Sequence, residues 1–329
     1  MKPLEYFLRP TQEELFARLR SAYKGRMDVC RDSYILVKGE APALLVAHLD
    51  TVHPQPVRQI CRTDDGGILM SPQGIGGDDR CGVYALNAIY ERSGAKPWLL
   101  FTCDEETGGI GAGTFCAKYR NGILPKGLGQ LKLIIEIDRK GKDDAVYYGC
   151  GNKGFEDYIT GKGFRTSYGS FSDISYIAPE LGIAAVNLSA GYYNAHTLHE
   201  HIDRKQLEDT VRKVIEIVAE SMDSGFPRYE YVEACHHCGR GWGRYGSWHE
   251  EGKALEGLPG DIRREYEALL DYYTVEELEG YRAGYGDRII LQLFEAGLGC
   301  RHMRPKEGRW KLEKAPIHGD VSDSRGIRA

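Results

Sequence analysis

Imidazoles and carboxylates recur in this chain at the ends of apolar runs. PALLVAH runs into His48 and, two residues on, Asp50; WLLFTC runs into Asp104, Glu105 and Glu106; LKLIIEI runs into Asp138. A charged group directly after a buried strand is costly unless it is paired or bound to a cation. One such end is commonplace, because strands must stop and polar residues stop them. Three ends carrying His, Asp and Glu in one chain are much less so, and they would converge on one crevice. GIGGDDRCG places Asp78 and Asp79 after a glycine-rich loop at the start of a helix, where they could serve simply as caps. NAHTLHEHI places His196 after an apolar strand and a turn, where a lone imidazole is ordinarily solvated. As a set, two imidazoles and three or four carboxylates suit a hard-to-borderline divalent metal such as zinc.

The elements that would position these groups alternate up to about residue 222. Thr11, followed by Gln12, Glu13 and Glu14, reads as a helix start with Leu15, Leu19 and Ala22 on one face. YILVKG (34–39) and PALLVAH (42–48) are strand-length runs split by a glycine-containing turn, which predicts two neighbouring strands. Residues 98–103, 131–137 and 183–189 are further apolar runs, 81–90 has helical spacing, and 203–222 carries the stripe of a long amphipathic helix. Near-continuous apolar strands imply burial on both faces. The fold class is therefore α/β, a three-layer α/β/α sandwich around a mostly parallel, mixed sheet, whose ligand crevice lies beyond the carboxyl ends of the strands.

After Gly225-Phe226-Pro227 the strand-like runs vanish, so a catalytic domain over 1–225 and a small, mainly helical appendage over 226–329 are expected. Residues 233–253 are dense in Gly, His, Trp and Cys, and helical stretches follow near 261–281 and 288–296. The balance of 43 Lys+Arg against 48 Asp+Glu gives a net charge of -5, with no claim on nucleic acid or an anionic membrane. No apolar run is long enough to span a bilayer, and the N-terminus lacks a signal-peptide core. Nine cysteines, most of them single within apolar stretches, fit reduced thiols in a cytoplasmic setting.

AHLDTVHP resembles the His-x-Asp-Thr-Val-Pro signature of the co-catalytic dizinc peptidase clan. That clan includes peptidase T, the bacterial leucyl aminopeptidases, the tetrahedral aminopeptidases and the aminoacylase-like carboxypeptidases. GGDDRCG is similar to its Asp-Asp-x-x-Gly segment, with the Arg seen in the tetrahedral aminopeptidases. CDEETGGIGA is similar to its Glu-Glu-x-Gly motif, IEID to its Asp-ending strand and HTLHE to its terminal His-x-x-x-Glu. These motifs occur in the clan's order across about residues 48 to 200.

The resemblance implies two divalent metal ions, zinc or else cobalt or manganese. His48 and Asp138 would hold one, Glu106 and His196 the other, and Asp78 would bridge them. Asp50 would orient the His48 imidazole, and Glu105 would be the general base and acid. The resemblance also implies a cis peptide between Asp78 and Asp79. His48 and Asp78 are 30 residues apart and Asp138 and His196 are 58 apart, too short for the insertions that several branches carry there. That favours recognition of a free N-terminus in a peptide or amino-acid amide, hence an aminopeptidase. A dipeptidase, a carboxypeptidase or an N-acyl-amino-acid deacylase is the close alternative, and the oligomeric state, a homo-oligomer included, stays open.

YGSFSDISYIAP, with Asp173, resembles a Ser/Thr-Asp loop of the clan and either lines the substrate pocket or is an ordinary surface loop. His199 and His201 read as a solvated pair, and Glu200 as an acid able to support the ligand His196 four residues earlier. Cys235 and Cys238 form a knuckle whose second pair could only be Cys300 and His302, which leaves a non-catalytic protein with a zinc-ribbon-like module as the rival of another class. Trp242, Tyr245 and Trp248 lack the basic excess of a nucleic-acid platform.

Overall fold

A computed structural model of the chain describes residues 2–169, 171–232 and scattered positions between 262 and 291. The knuckle at Cys235 and Cys238, its candidate partners Cys300 and His302, and the aromatic residues Trp242, Tyr245 and Trp248 lie outside the described residues.

In chain order, helices α1 (Glu5–Leu8) and α2 (Gln12–Ala22) precede strands β1 (Met27–Cys30), β2 (Tyr34–Val37) and β3 (Ala43–His48). Two short strands, β4 (Cys61–Arg62) and β5 (Ile68–Met70), lead to α3 (Gly77–Arg92), β6 (Trp98–Thr102) and α4 (Ile110–Arg120). Then come β7 (Leu133–Arg139), β8 (Asp144–Val146), α5 (Lys153–Gly161), β9 (Arg165–Ser167), α6 (Ile174–Leu181) and β10 (Ala185–Ser189). The ends of this unit are β11 (Tyr192–Tyr193), β12 (His201–Asp203) and α7 (Arg204–Ser221).

Eight strands form the central sheet in the order β1-β2-β6-β3-β7-β10-β8-β9, and β11-β12-β5-β4 form a small antiparallel one. The four strands at its middle, β6, β3, β7 and β10, are parallel; β1, β2 and β8 pair antiparallel to their inner neighbours. Alternation along the buried strands sends each face to a different helical layer. Ala43, Leu45 and Ala47 of β3 join one core cluster with α2, α3, α5 and α7, while Leu44 and Val46 join the other with α4 and α6. The three-layer sandwich follows from that division.

Strands β2 and β3 are not neighbours: β6 lies between them. The turn expected at Gly39 is instead a crossing over the start of β6. The amides of Glu40 and Ala41 donate to the Lys96 carbonyl at 2.6 and 2.9 Å, and a Cβ on Gly39 would stand 2.3 Å from the Pro97 carbonyl carbon. Only glycine allows the crossing that close.

The helix starts follow their caps. Thr11 accepts from the Glu14 amide and the Glu14 carboxylate accepts from the Thr11 amide, a reciprocal box that opens α2. Thr11→Ala is expected to cost about 1 kcal/mol in urea-induced unfolding with an unchanged dependence on denaturant; no loss would mean that tertiary packing alone sets this helix. Asp203 caps α7 through the amides of Lys205 and Gln206 at 3.0 and 3.2 Å. Beyond α7 the chain stays on the sandwich. The Tyr229 amide donates to the Lys132 carbonyl, the Ala184 amide to the Tyr229 carbonyl, and Tyr229 packs among Phe155, Tyr158 and Phe226. Among the described residues no helix is long and apolar enough to cross a membrane.

Candidate metal centre

Because β6, β3 and β7 are adjacent and parallel, their carboxyl ends share one edge of the sheet. His48 pairs with Thr102 and Val46 with Glu136, so His48 and Asp138, two residues further along each strand, stand level. The convergence expected from three strand ends is thus a consequence of register. His196 arrives from the loop after β11, held at a φ of 65°, a conformation that non-glycine residues adopt only where the surroundings over-determine it.

Asp78 stands between the two imidazoles. Its Oδ1 lies 3.2 Å from His48 Nε2 and its Oδ2 3.1 Å from His196 Nε2. Asp138 Oδ1 is 3.7 Å from the same His48 nitrogen, and Glu106 Oε1 is 2.9 Å from the same His196 nitrogen. The peptide bond between Asp78 and Asp79 is cis, as the resemblance implies. The two acids divide the roles open to them. Asp79 is the cap: it is buried, and it accepts from the Gly82 amide at 2.9 Å and the His48 amide at 3.2 Å. Asp78 keeps both oxygens for the histidines. A Cβ on Gly82 would stand 2.2 Å from the Ile137 carbonyl and 2.4 Å from the Asp79 carboxylate, so α3 sits against β7 only because that position is bare.

Asp50 organises the opposite wall. Its Oδ1 lies 3.2 Å from His48 Nδ1, and its two oxygens accept from the amides of Glu105 and Glu106 at 3.1 and 3.0 Å. One carboxylate thereby fixes the ring of His48 and the turn that carries both glutamates. That turn closes with the Gly108 and Gly109 amides donating to the Glu105 carbonyl. Glu106 meets His196, while the half-buried Glu105 carboxyl feels the charges of His48, Asp138 and Asp173.

The electrostatics are those of an acid-rich pocket. Burial opposes ionisation of Asp78, but His196 and His48 outweigh it and hold this carboxyl far below the usual range. Asp138 is pushed up to about 7, first by burial and then by Asp78. Burial raises Glu105 well above the ordinary carboxylate range, with Asp173, Asp138 and Glu106 adding to it and His48 opposing. Burial would make both imidazoles less basic, yet the carboxylates win: His48 rises well above its ordinary value beside Asp138, and His196 rises to about 11 beside Asp78 and Glu106. Protons on the two rings thus meet a demand for positive charge that divalent cations would meet better. The donor set fits such ions. His48, Asp78 and Glu106 can bring ligand atoms within 4.8 Å of one another, as can His48, Asp79 and Asp138. In the second group the Asp79 oxygens are already taken by amides, so Asp78 is the aspartate available to both sides.

Several partners had no signal in the spacing. Asn187 of β10 pairs with the backbone of Asp138 through both ends of its amide, at 2.8 and 3.1 Å, and the Tyr192 hydroxyl donates to Asp138 Oδ1 at 3.1 Å. Ser172 and Asp173 are buried, not part of a surface loop: the Ser172 hydroxyl donates to Glu136 and the Thr102 hydroxyl to Asp173. His199 is exposed as expected, but His201 lies in β12 with its ring stacked on Tyr193 at 5.2 Å. Glu200 reaches the loop that carries Asp78. Arg80 donates to the carbonyls of Phe7 and Pro10, both at 2.9 Å, and ties the N-terminal segment to α3.

No family model matches the chain, and no curated protein matches it. Among solved structures it is similar to a tripeptidase from Staphylococcus aureus, with 16% identity, a TM-score of 0.52, and 66% of this chain and 96% of that chain covered. It is also similar to an aminopeptidase PepT from Bacillus cereus (16% identity, TM-score 0.49, covering 67% of this chain and 98% of that one). A third is a TET aminopeptidase from a marine sediment archaeon of the Thaumarchaeota (13% identity, TM-score 0.49, covering 65% and 95%). The likeness to the staphylococcal tripeptidase is one of fold: this chain has the α/β architecture found in that peptidase.

Proposed function

We propose that the chain is a member of the dizinc peptidase clan and a metal-dependent exopeptidase of aminopeptidase type. The observation that carries the reading is the position of Asp78, with one oxygen on His48 beside Asp138 and the other on His196 beside Glu106. A bridging carboxylate between two mixed imidazole and carboxylate half-sites is what a closely spaced cation pair requires. His48 and Asp138 would hold one ion, Glu106 and His196 the other. The nitrogen and oxygen donors favour zinc, with cobalt or manganese able to substitute. When bound, such ions polarise the amide carbonyl and make the attacking water more acidic.

The remaining steps belong to the protein. Asp50 holds the His48 ring in the tautomer that presents Nε2 to the pocket. Glu105, raised by burial toward the working range of a base, takes a proton from the attacking water and hands it to the leaving amine. The segment between Asp138 and His196 is used up by β8, α5, β9, α6, β10 and β11, all part of the same unit, which leaves no inserted domain to bind a substrate carboxylate. This supports recognition of a free N-terminus. The catalytic unit is assigned to 1–225, with residues 226–231 docked on it and 226–329 as the appendage. The cytoplasmic assignment rests on thiols: the described cysteines are free, and Cys81, Cys103, Cys116 and Cys150 are buried.

Initial rates on free-amine peptides and amino-acid amides, against their N-acetylated counterparts, test the substrate reading. Faster turnover of the free amines by the metal-loaded chain is expected. Turnover of blocked substrates alone would replace it with a deacylase, and turnover of neither would end the hydrolase reading.

Metal uptake should also depend on pH. In the metal-free chain His196 holds its proton up to about 11 and Asp138 up to about 7, so ions must displace protons that become easier to lose as pH rises. Apparent cobalt affinity is expected to climb from pH 6 to pH 8 by about tenfold per unit for each proton displaced. A pH-independent affinity would mean that these groups are not ligands.

A further inference from the structure

Glu200 and His53 are used by none of the steps above, yet they stand beside the centre. Glu200 is fully buried. Its Oε2 lies 2.7 Å from His53 Nε2 and accepts from the Gly76 amide at 2.9 Å, while its Oε1 accepts from the Asp78 amide at 2.9 Å. These donors and Glu200 itself belong to three stretches that each carry a candidate ligand. His53 follows His48 in the same segment, Gly76 and Asp78 form the entry to α3, and Glu200 itself closes the loop of His196.

We propose that Glu200, braced by His53, is a positioning residue that holds the backbone of Asp78 so that its carboxylate faces both histidines. The inference rests on the dinuclear reading. The physical argument is one of satisfied donors. The amides of Gly76 and Asp78 stand at the cap and in the first turn of α3, where the helix offers no acceptor, so a buried anion that accepts from both fixes the path of this segment. Because the same carboxylate binds His53, the segment cannot shift relative to the strand end that bears His48 without losing a charge-assisted contact. The clamp therefore sets the distance between the two half-sites, which neither Asp78 nor the histidines could do from their own loops. Outer partners of metal ligands are commonly worth 10–100-fold in affinity, about the size expected here.

Glu200→Gln tests the geometry with almost no change in volume. Its amide nitrogen must face the Asp78 amide on one side or the Gly76 amide on the other, so at least one of the three contacts is lost. His53→Phe keeps a ring and removes the donor, and is the milder variant. Zinc is titrated calorimetrically onto the chelator-stripped full-length chain. Two equivalents are expected for the parent, with at least one weakened tenfold or more in Glu200→Gln, weakened less in His53→Phe and unchanged in the exposed control Glu216→Gln. In the same metal-free proteins, amide exchange across residues 74–80 should accelerate in Glu200→Gln while the helix over 204–221 keeps its protection. Parent-like zinc affinities in Glu200→Gln would overturn the inference. The exchange measurement needs no metal, so a parent that takes up no zinc would sink the dinuclear reading separately; unchanged exchange across 74–80 would then overturn the clamp on its own.

Discussion

Glu105→Gln leaves the metal content of the chain unchanged and slows hydrolysis by about 10²–10⁴-fold. The asymmetry follows from the turn after β6. Asp50 accepts from the backbone amides of both glutamates, so their positions do not depend on the side chain at 105, whereas the Glu106 carboxylate itself meets His196. An amide at 105 keeps the shape and removes the proton acceptor. Rates on an amino-acid amide, read alongside metal analysis of the same preparation, separate the two outcomes. A variant that lost metal along with activity would make residue 105 a ligand. One that turned over at the parent's rate would remove general-base catalysis from the account.

Asp78→Asn has the opposite signature: metal content falls together with activity. The backbone amide at 78 is kept for Glu200, but one face of the side chain becomes a donor and the negative charge between His48 and His196 disappears. Two cations held close together repel each other strongly without an anion between them. Metal content should fall from two per chain to one or none, and hydrolysis should drop to the background rate. Thermal unfolding gives an independent reading. Ligand at a thousandfold excess over Kd stabilises a protein by about 4 kcal/mol. The parent's melting temperature should therefore rise on adding zinc, and that rise should shrink or vanish in Asp78→Asn. An undiminished rise would mean that zinc binds elsewhere.

The chemistry of this site is legible in the sequence because it follows strands. His48, Asp138 and the Glu105–Glu106 pair each come directly after a run of buried apolar residues, and parallel pairing carries those ends to one edge. The long helices were legible for a similar reason, since α2 and α7 advertise their starts with caps and their buried faces with period. What was hidden depends on contacts far apart in the chain. Nothing local says that β6 slides between β2 and β3, because the crossing at Gly39 is decided by residues near 97. The small sheet was missed because strands of two or three residues carry no alternation to read. His53 and Glu200 are 147 positions apart and no spacing rule joins them. The segment of Asp173 left a pocket-lining loop and a surface loop equally open, and the fold turns its carboxyl inward to Thr102, where burial raises it to about 6.

The central claim is that separate segments of one chain hold a pair of cations around Asp78. Anomalous diffraction from zinc-loaded crystals of the full chain tests it most directly. Two peaks are expected, roughly 3.5–4 Å apart, one beside His48 and Asp138 and the other beside Glu106 and His196, with Asp78 touching both. A single peak at this edge of the sheet, or none, would contradict it.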